Sequence, residues 1–174
     1  MISAEKLEKV LTYIDLVSEW TGKATSYLVL VLTGTVTYEV VCRYAFNAPT
    51  IWAQESSTYL YGAFFMLGGA YVLLHDGHVR VDIFYSRLSQ RGKAIVDLIT
   101  FPVFFFLFVG ILVWEGGKMA IWSWSIWEHT QSPWSPPIYP LKTVIPVASL
   151  LLFLQGLARY IRDIRFLVNE RRKH

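Results

Sequence analysis

The sequence predicts an all-α integral membrane protein, a four-helix bundle accompanied by short interfacial amphipathic helices. Three observations support this fold class: apolar residues make up 54% of the 174 residues, charged residues make up only 17%, and seven tryptophans are present. A soluble domain usually carries about 25% charged residues, and tryptophan is enriched where a chain meets the membrane–water boundary. The length suits a single domain, residues 1–174.

Four apolar stretches are long enough to cross the hydrocarbon region, which takes about 20 residues as a helix. Backbone groups in lipid must be satisfied within their own element, so each stretch should be helical. Pro102 is expected to kink the third stretch, whereas Pro140 and Pro146 are placed in the first turns of the fourth, where a missing amide hydrogen costs least. The predicted spans are approximately 24–46, 52–74, 94–114 and 138–158.

The N-terminal segment, residues 1–23, does not resemble a secretory signal because charged residues interrupt it. Its apolar residues recur at helical steps of three and four. Two interpretations stay open: a helix lying on the cytoplasmic surface, or a cytoplasmic extension of the first span. The apolar face comprises Leu7, Val10, Leu11, Ile14 and Val17.

Basic residues predict the orientation. All but three of the 16 lie in the N-terminal segment, in the loop between spans two and three, or in the C-terminal tail; the exceptions are Arg43, Lys118 and Lys142. By the positive-inside rule, both termini and the middle loop are cytoplasmic. The basic residues adjoin apolar runs, so they should face anionic lipid rather than nucleic acid.

The middle loop predicts a short interfacial helix with an apolar underside and basic edges. Its apolar face would hold Val81, Phe84, Tyr85 and Leu88, flanked by Arg80, Arg87 and Arg91, and the candidates for binding lipid headgroups are Arg87, Arg91 and Lys93. Just before it, two histidines and one aspartate are too few for a metal site, and Gly77 breaks the helix that would present them. A surface turn is therefore favoured.

The loop on the other side of the membrane, about residues 115–137, is rich in tryptophan. It contains Trp122, Trp124, Trp127 and Trp134, and Trp114 directly precedes it. Because tryptophan favours the headgroup level, we expect this loop to lie along the outer membrane face. A docking surface is the alternative, since tryptophan is a frequent interface anchor.

Charged residues within the spans are expected to pair, because an ionisable group there is costly. Glu39 and Arg43 lie four residues apart on one helical face of the first span. Glu55 lies one turn into the second span, so we predict that all three form one cluster that holds these spans together. In the second span, Gly62, Gly68 and Gly69 have no side chain and are predicted to allow close helix packing.

Nothing in the sequence indicates an active site, and we expect no enzyme activity and no cofactor. The single cysteine, Cys42, cannot form an intrachain disulfide or a multi-cysteine metal site. The four histidines lie outside the spans or at their edges, which argues against a haem subunit. The third span has a wholly apolar centre, and no repeat of broken helices is present, so a self-sufficient transporter is also disfavoured.

A set of short motifs resembles one known family, the small membrane subunit of tripartite ATP-independent periplasmic (TRAP) transporters. The resemblance covers nearly the whole chain and depends on the order of the motifs within four spans. The motifs are Arg43-Tyr44, Phe46-Asn47, Trp52 and Glu55, Gly68-Gly69-Ala70, and His78-Val79-Arg80-Val81-Asp82.

The resemblance implies a function that the residues alone do not indicate. The family's small subunit is a scaffold for a larger elevator-type membrane subunit, which takes up carboxylates by sodium symport after a periplasmic binding protein delivers them. It implies a bacterial or archaeal inner-membrane location. Arg43 and Glu55 would brace the bundle or its contact with the large subunit, and His78, Arg80 and Asp82 would shape the cytoplasmic turn. The alternative is a membrane anchor subunit of a respiratory or redox complex.

Overall fold

The computed structural model describes residues 4–77 and 88–171, which form helices and short connections with no named β-strand in these ranges. A six-residue π-helical segment, Phe101–Phe106, joins the third and fourth α-helices without a break. The α-helices are α1 (Ala4–Ala45), α2 (Ile51–Leu74), α3 (Gln90–Thr100), α4 (Leu107–Ser125) and α5 (Tyr139–Arg171).

Within residues 4–77 and 88–171, four helical stretches are long and apolar enough to cross a membrane: α1, α2, the continuous α3–π–α4 helix, and α5. The all-α fold class with four spans is therefore confirmed. An even number of crossings places both ends of the described chain at one end of the bundle. We call this end the terminal face, and the opposite end, with the α1–α2 turn and the α4–α5 loop (residues 126–138), the loop face.

Two helices extend well past the predicted spans. The 42 residues of α1 correspond to a length of about 60 Å, twice the hydrocarbon thickness of about 30 Å. Residues 4–23 are therefore an extension of the first span, in agreement with the second interpretation above. Likewise α5 continues to Arg171, through much of the predicted tail.

The predicted start of the α4–α5 loop at Glu115 is wrong. The helix continues to Ser125 because Gly116, Ala120 and Ser123 form a buried strip within the close packing of α4 against α5. Three of the tryptophans assigned to the neighbourhood of that loop therefore lie on a helix.

The prolines act at the predicted places but not always in the predicted way. Pro102 lies in the first residues of the π-helical segment, so the helix there is widened, a form of irregularity that the sequence did not specify. Pro140 lies in the first turn of α5, as predicted. Pro146, in contrast, lies inside α5, where Gly116 of α4 approaches its ring closely.

The closest helix crossings depend on glycines other than the predicted ones. A Cβ at Gly22 of α1 would lie 2.3 Å from the Tyr71 ring of α2, and one at Gly156 of α5 would lie 2.2 Å from the Phe105 ring. A Cβ at Gly68, by contrast, would meet no heavy atom within 4 Å. Gly68 therefore lies at no close helix contact among the described residues of this chain, and packing against a partner helix stays a prediction.

The other two predicted glycines have only ordinary contacts. The nearest atom to a Cβ at Gly62 would be Leu141 Cδ1 at 3.8 Å, and at Gly69 it would be Leu152 Cδ1 at 4.0 Å. The sequence pattern selected glycines in the second span, whereas the glycines at the tight crossings lie on α1, α4 and α5.

The crossing at Gly22 gives a direct test of the fold. We expect Gly22→Ala to lower the stability by about 1–3 kcal/mol, because the added methyl overlaps the Tyr71 ring near its attachment to the backbone. Gly34→Ala, on the same helix and with open space around it, is the matched control and should be neutral or slightly stabilising. Thermal unfolding in detergent measures both; equal melting temperatures would contradict the crossing.

Candidate functional site

At the loop face, the Glu39 carboxylate joins α1 to the start of α2. It is 6% exposed and accepts hydrogen bonds from Arg43 Nε at 3.0 Å and Nη2 at 2.6 Å. It also accepts from the backbone N–H of Thr50 at 2.9 Å and from the Thr50 hydroxyl. Thr50 is the N-cap residue of α2. The predicted pairing of Glu39 with Arg43 is therefore present, and it fixes the turn between the helices.

The third predicted member of this cluster, Glu55, contacts a different element. Its Oε2 accepts a hydrogen bond from the Thr130 hydroxyl of the α4–α5 loop at 3.3 Å. Glu39 is already satisfied by Arg43 and by the α2 N-cap, whereas Glu55 lies on the face of α2 that is turned toward the loop. The single three-residue cluster is therefore wrong; two separate contacts tie α2 to its neighbours.

The remaining predicted site residues divide into those that the structure describes and those that lie outside the described residues. Trp52, at the start of α2, is 43% exposed, with its ring 5.4 Å from that of Tyr38. Arg91 and Lys93 lie at the start of α3, and both interact with other groups of the protein, so their contact with lipid headgroups stays a prediction. Four others, and most of the predicted interfacial helix, lie outside the described residues: His78, Arg80, Asp82 and Arg87.

On the terminal face, three arginines of α5 pair with carboxylates of three other segments. Arg162 forms a two-pronged pair with Asp15 of α1, with Nη1–Oδ1 at 3.1 Å and Nη2–Oδ2 at 2.5 Å. Arg165 pairs with Glu8 of α1. Arg159 pairs with Asp76 after α2, and its Nη2 lies 3.5 Å from Oδ2 of the buried Asp97 of α3. We call this row of arginines and its partners the arginine brace.

A buried polar chain supports the brace from within. Gln155 of α5 donates from Nε2 to Asp15 Oδ1 at 2.9 Å and accepts at Oε1 from the Ser18 hydroxyl at 2.7 Å. Ser18 and Gln155 are only 1% and 2% exposed. Because each of these polar groups has a partner, burying them carries little of the penalty of an unpaired group. The brace can therefore hold α1 and α5 in a fixed register.

Sequence reasoning missed the brace because it treated these arginines only as markers of orientation. A signal was present: Arg159, Arg162 and Arg165 recur every three residues, and Glu8 and Asp15 lie seven residues apart on α1. Such spacings place each set on one helical face. Pairing the two faces required the knowledge that both helices continue past the membrane.

The α4–α5 loop has its own ion pair. Glu128 accepts from Lys142 Nζ at 2.5 Å and from the Ser123 hydroxyl at 2.6 Å. The Lys142 ammonium, and next the Ser123 hydroxyl, hold the pKa of the Glu128 carboxyl below its ordinary value of 4.5. Backbone hydrogen bonds from Ile138 to Glu128 and from Thr130 to the Pro136 carbonyl close the loop.

Aromatic rings cover this loop face. Trp124, on α4, donates to the Thr143 hydroxyl at 2.8 Å, and its ring centroid lies 4.3 Å from that of Tyr139. Trp127 packs edge-on against Tyr139 but remains 62% exposed, and Trp134 is 46% exposed. These exposed rings suit either of the predicted roles, contact with the membrane surface or with a partner.

A double-mutant cycle on Asp15→Asn and Arg162→Gln tests the brace. We expect a coupling energy of about 1 kcal/mol or more, because the pair is geometrically specific and linked to buried groups. The exposed pair Glu5–Lys9 on the same helix α1 is the control and should give about 0.5 kcal/mol or less. Denaturation in detergent measures both cycles, and equal coupling energies would show that the Asp15–Arg162 pair contributes no more than an exposed pair.

The Glu128 pair predicts a pH response of the loop. A carboxylate whose folded pKa is lowered stabilises fully above its ordinary pKa and loses this contribution as pH falls through the folded value. The loop should therefore be unchanged from pH 7 to 5 and loosen below 4.5, followed as the difference in tryptophan fluorescence between the protein and its Trp127→Phe variant. Glu128→Gln should remove this response, whereas Glu115→Gln, at an exposed pair with Lys118, should keep it. A response that survives Glu128→Gln would assign it to another group.

Comparison with known proteins agrees with the motifs. The family model for the DctQ component of tripartite ATP-independent periplasmic transporters matches residues 32–166, from the middle of α1 nearly to the end of α5. The sialic acid TRAP transporter permease protein SiaT of Haemophilus influenzae (strain 86-028NP) is 25% identical over 114 residues, which cover 63% of this chain but 18% of the permease. Since the family model covers well over half of the sequence, the chain belongs to the DctQ component family of TRAP transporters.

Proposed function

We propose that this chain is the non-catalytic scaffold subunit of a sodium-coupled TRAP transporter, where it stabilises the stationary part of a larger elevator-type membrane subunit. The observation that carries the proposal is the arginine brace. It ties α5 to α1, to the end of α2 and to α3 at one end of the bundle. A frame against which another domain moves must resist relative motion of its own helices, and such pairing supplies that resistance.

The distribution of polar and apolar groups supports the same role. The carboxylates of Glu8, Asp15 and Glu128 each pair with a cation of α5, so these charges serve to join separate segments of the chain. Large apolar side chains remain exposed along the spans, among them Phe65, Phe104 and Trp114. Exposed apolar helix faces in a membrane suit contact with lipid and with other transmembrane helices.

The proposed orientation places the terminal face in the cytoplasm and the α4–α5 loop in the periplasm. The basic residues of the brace and of the N-terminal segment lie at the terminal face, and such residues favour the cytoplasmic side. In this orientation the exposed Trp127 and Trp134 would face the periplasmic binding protein or the outer headgroups. The membrane would be the inner membrane of a bacterium or archaeon.

The proposed substrates are organic acids carrying a carboxylate. This follows from the family resemblance, and the name of the Haemophilus relative, a sialic acid permease, agrees with it. Recognition would lie in the binding protein and in the larger subunit. Family membership also favours a transporter over the anchor subunit of a respiratory complex.

Reconstitution tests the proposed function. Vesicles containing this chain, the larger membrane subunit of the same transporter and the binding protein should accumulate a carboxylate substrate when a sodium gradient is applied. Vesicles lacking this chain should lose uptake, and Arg162→Gln should reduce it, because a loosened frame no longer resists the moving domain. Lys9→Gln, at an exposed pair, is the control and should leave uptake unchanged.

Two results would contradict the proposal. Accumulation of the substrate by vesicles containing this chain alone would show that it carries solute itself. Undiminished uptake by vesicles that lack this chain would show that the larger subunit needs no scaffold.

A further inference from the structure

A groove between α2 and α5 has a floor of small residues. It measures ≈ 460 Å³, and its lining includes Phe65, Gly68 and Gly69 of α2 and Ser149 of α5. A Cβ at Gly68 would meet nothing within 4 Å, and at Gly69 only Leu152 Cδ1 at 4.0 Å. The backbone of α2 is therefore open to close approach at these two consecutive residues.

Ser149 makes this groove different from a merely apolar one. Ser149 is 2% exposed, and its hydroxyl has no hydrogen-bond partner among the described residues. Other hydroxyls within helices, such as those of Ser57 and Thr143, donate to the carbonyl four residues earlier. The hydroxyl oxygen itself has almost no accessible surface, so an occupant of the groove reaches it only once the Ser149 side chain rotates toward the groove. A buried hydroxyl without a partner costs about 1–3 kcal/mol, and an occupant that then supplied a partner would gain that energy.

The missing hydrogen bond favours a protein helix over a lipid chain as the occupant. An acyl chain has no acceptor for the Ser149 hydroxyl, whereas a transmembrane helix can present a polar side chain. Small residues at a helix interface let backbones approach, and serine hydroxyls form bonds between such helices. In the Haemophilus permease, the region similar to this chain is 18% of a longer protein, so a large remainder is available there to cover such a groove.

We propose that the groove floored by Gly68, Gly69 and Ser149 seats one transmembrane helix of the larger membrane subunit. That helix would place a small residue against the two glycines and a hydrogen-bond acceptor against the Ser149 hydroxyl. This inference rests on the proposed function, since it requires a larger membrane partner, and it adds the surface at which that partner binds.

Copurification from cells that co-express this chain with the larger subunit of its own transporter tests whether this groove binds the partner helix. Gly68→Leu should reduce the recovered partner about tenfold, the equivalent of 1.4 kcal/mol, because the leucine fills the groove. Gly34→Leu, on α1 with equally open surroundings, is the matched control and should leave recovery unchanged. Both variants should keep the melting temperature of the isolated chain, since neither added side chain meets another atom close to its backbone.

Ser149→Ala supplies a readout that a purely structural role would not give. In the isolated chain it removes an unpaired buried hydroxyl and should raise the melting temperature. In the complex it removes the proposed hydrogen bond and should lower partner recovery several-fold. A change in the same direction in both measurements would overturn the role of Ser149.

A photo-crosslinker identifies the occupant directly. Gly69→Cys in a Cys42→Ser background, labelled with benzophenone maleimide, should yield an adduct with the larger subunit. Adducts only with lipid, or only within this chain, would overturn the proposed binding of a partner helix in the groove. Undiminished recovery of the larger subunit with Gly68→Leu would overturn it as well. If only the proposed binding surface is wrong, uptake in the reconstitution experiment still depends on this chain. If the unaltered chain recovers no larger membrane subunit, both the binding surface and the scaffold function are wrong.

Discussion

The Asp15 carboxylate, shared between Arg162 and Gln155, joins the two helices that extend furthest beyond the predicted spans. Most of the stability of helices in proteins comes from tertiary packing, and residues 4–23 are rich in charge. Pairing with α5 therefore supplies the tertiary contact that keeps this extension helical. Since α5 packs against every other helix, its position also sets theirs.

The two ends of the bundle satisfy their carboxylates in different ways. At the loop face, Glu39 accepts from its own helix and from the adjacent N-cap, so its contacts are short in sequence. At the terminal face, Asp15 depends on a residue 147 positions away. Apolar contacts hardly distinguish protein from lipid, so polar contacts at the ends carry the specificity of assembly. Arginine suits this task because its planar fork matches a carboxylate.

Local patterns in the sequence predicted local structure well. The four spans follow from apolar length, and the Glu39–Arg43 pair follows from a spacing of four on one helix. The errors concern contacts between distant segments: the partner of Glu55, the arginine brace, and the glycines at close crossings. The helix beyond Glu115 was missed because the buried strip at Gly116, Ala120 and Ser123 is recognisable only when α5 is known to lie against it.

Glycines without close neighbours show why a surface that binds a partner is difficult to locate from sequence. Gly34 and Gly68 both lie in spans and both have empty space where a Cβ would be. Glycine is common in transmembrane helices, so openness alone does not separate a surface that faces lipid from one that faces protein. The difference lies on another helix, where the buried Ser149, whose hydroxyl has no hydrogen-bond partner among the described residues, lines the same groove as Gly68. A hydrogen-bonding group without a partner distinguishes protein from lipid, because only protein can satisfy it within the hydrocarbon.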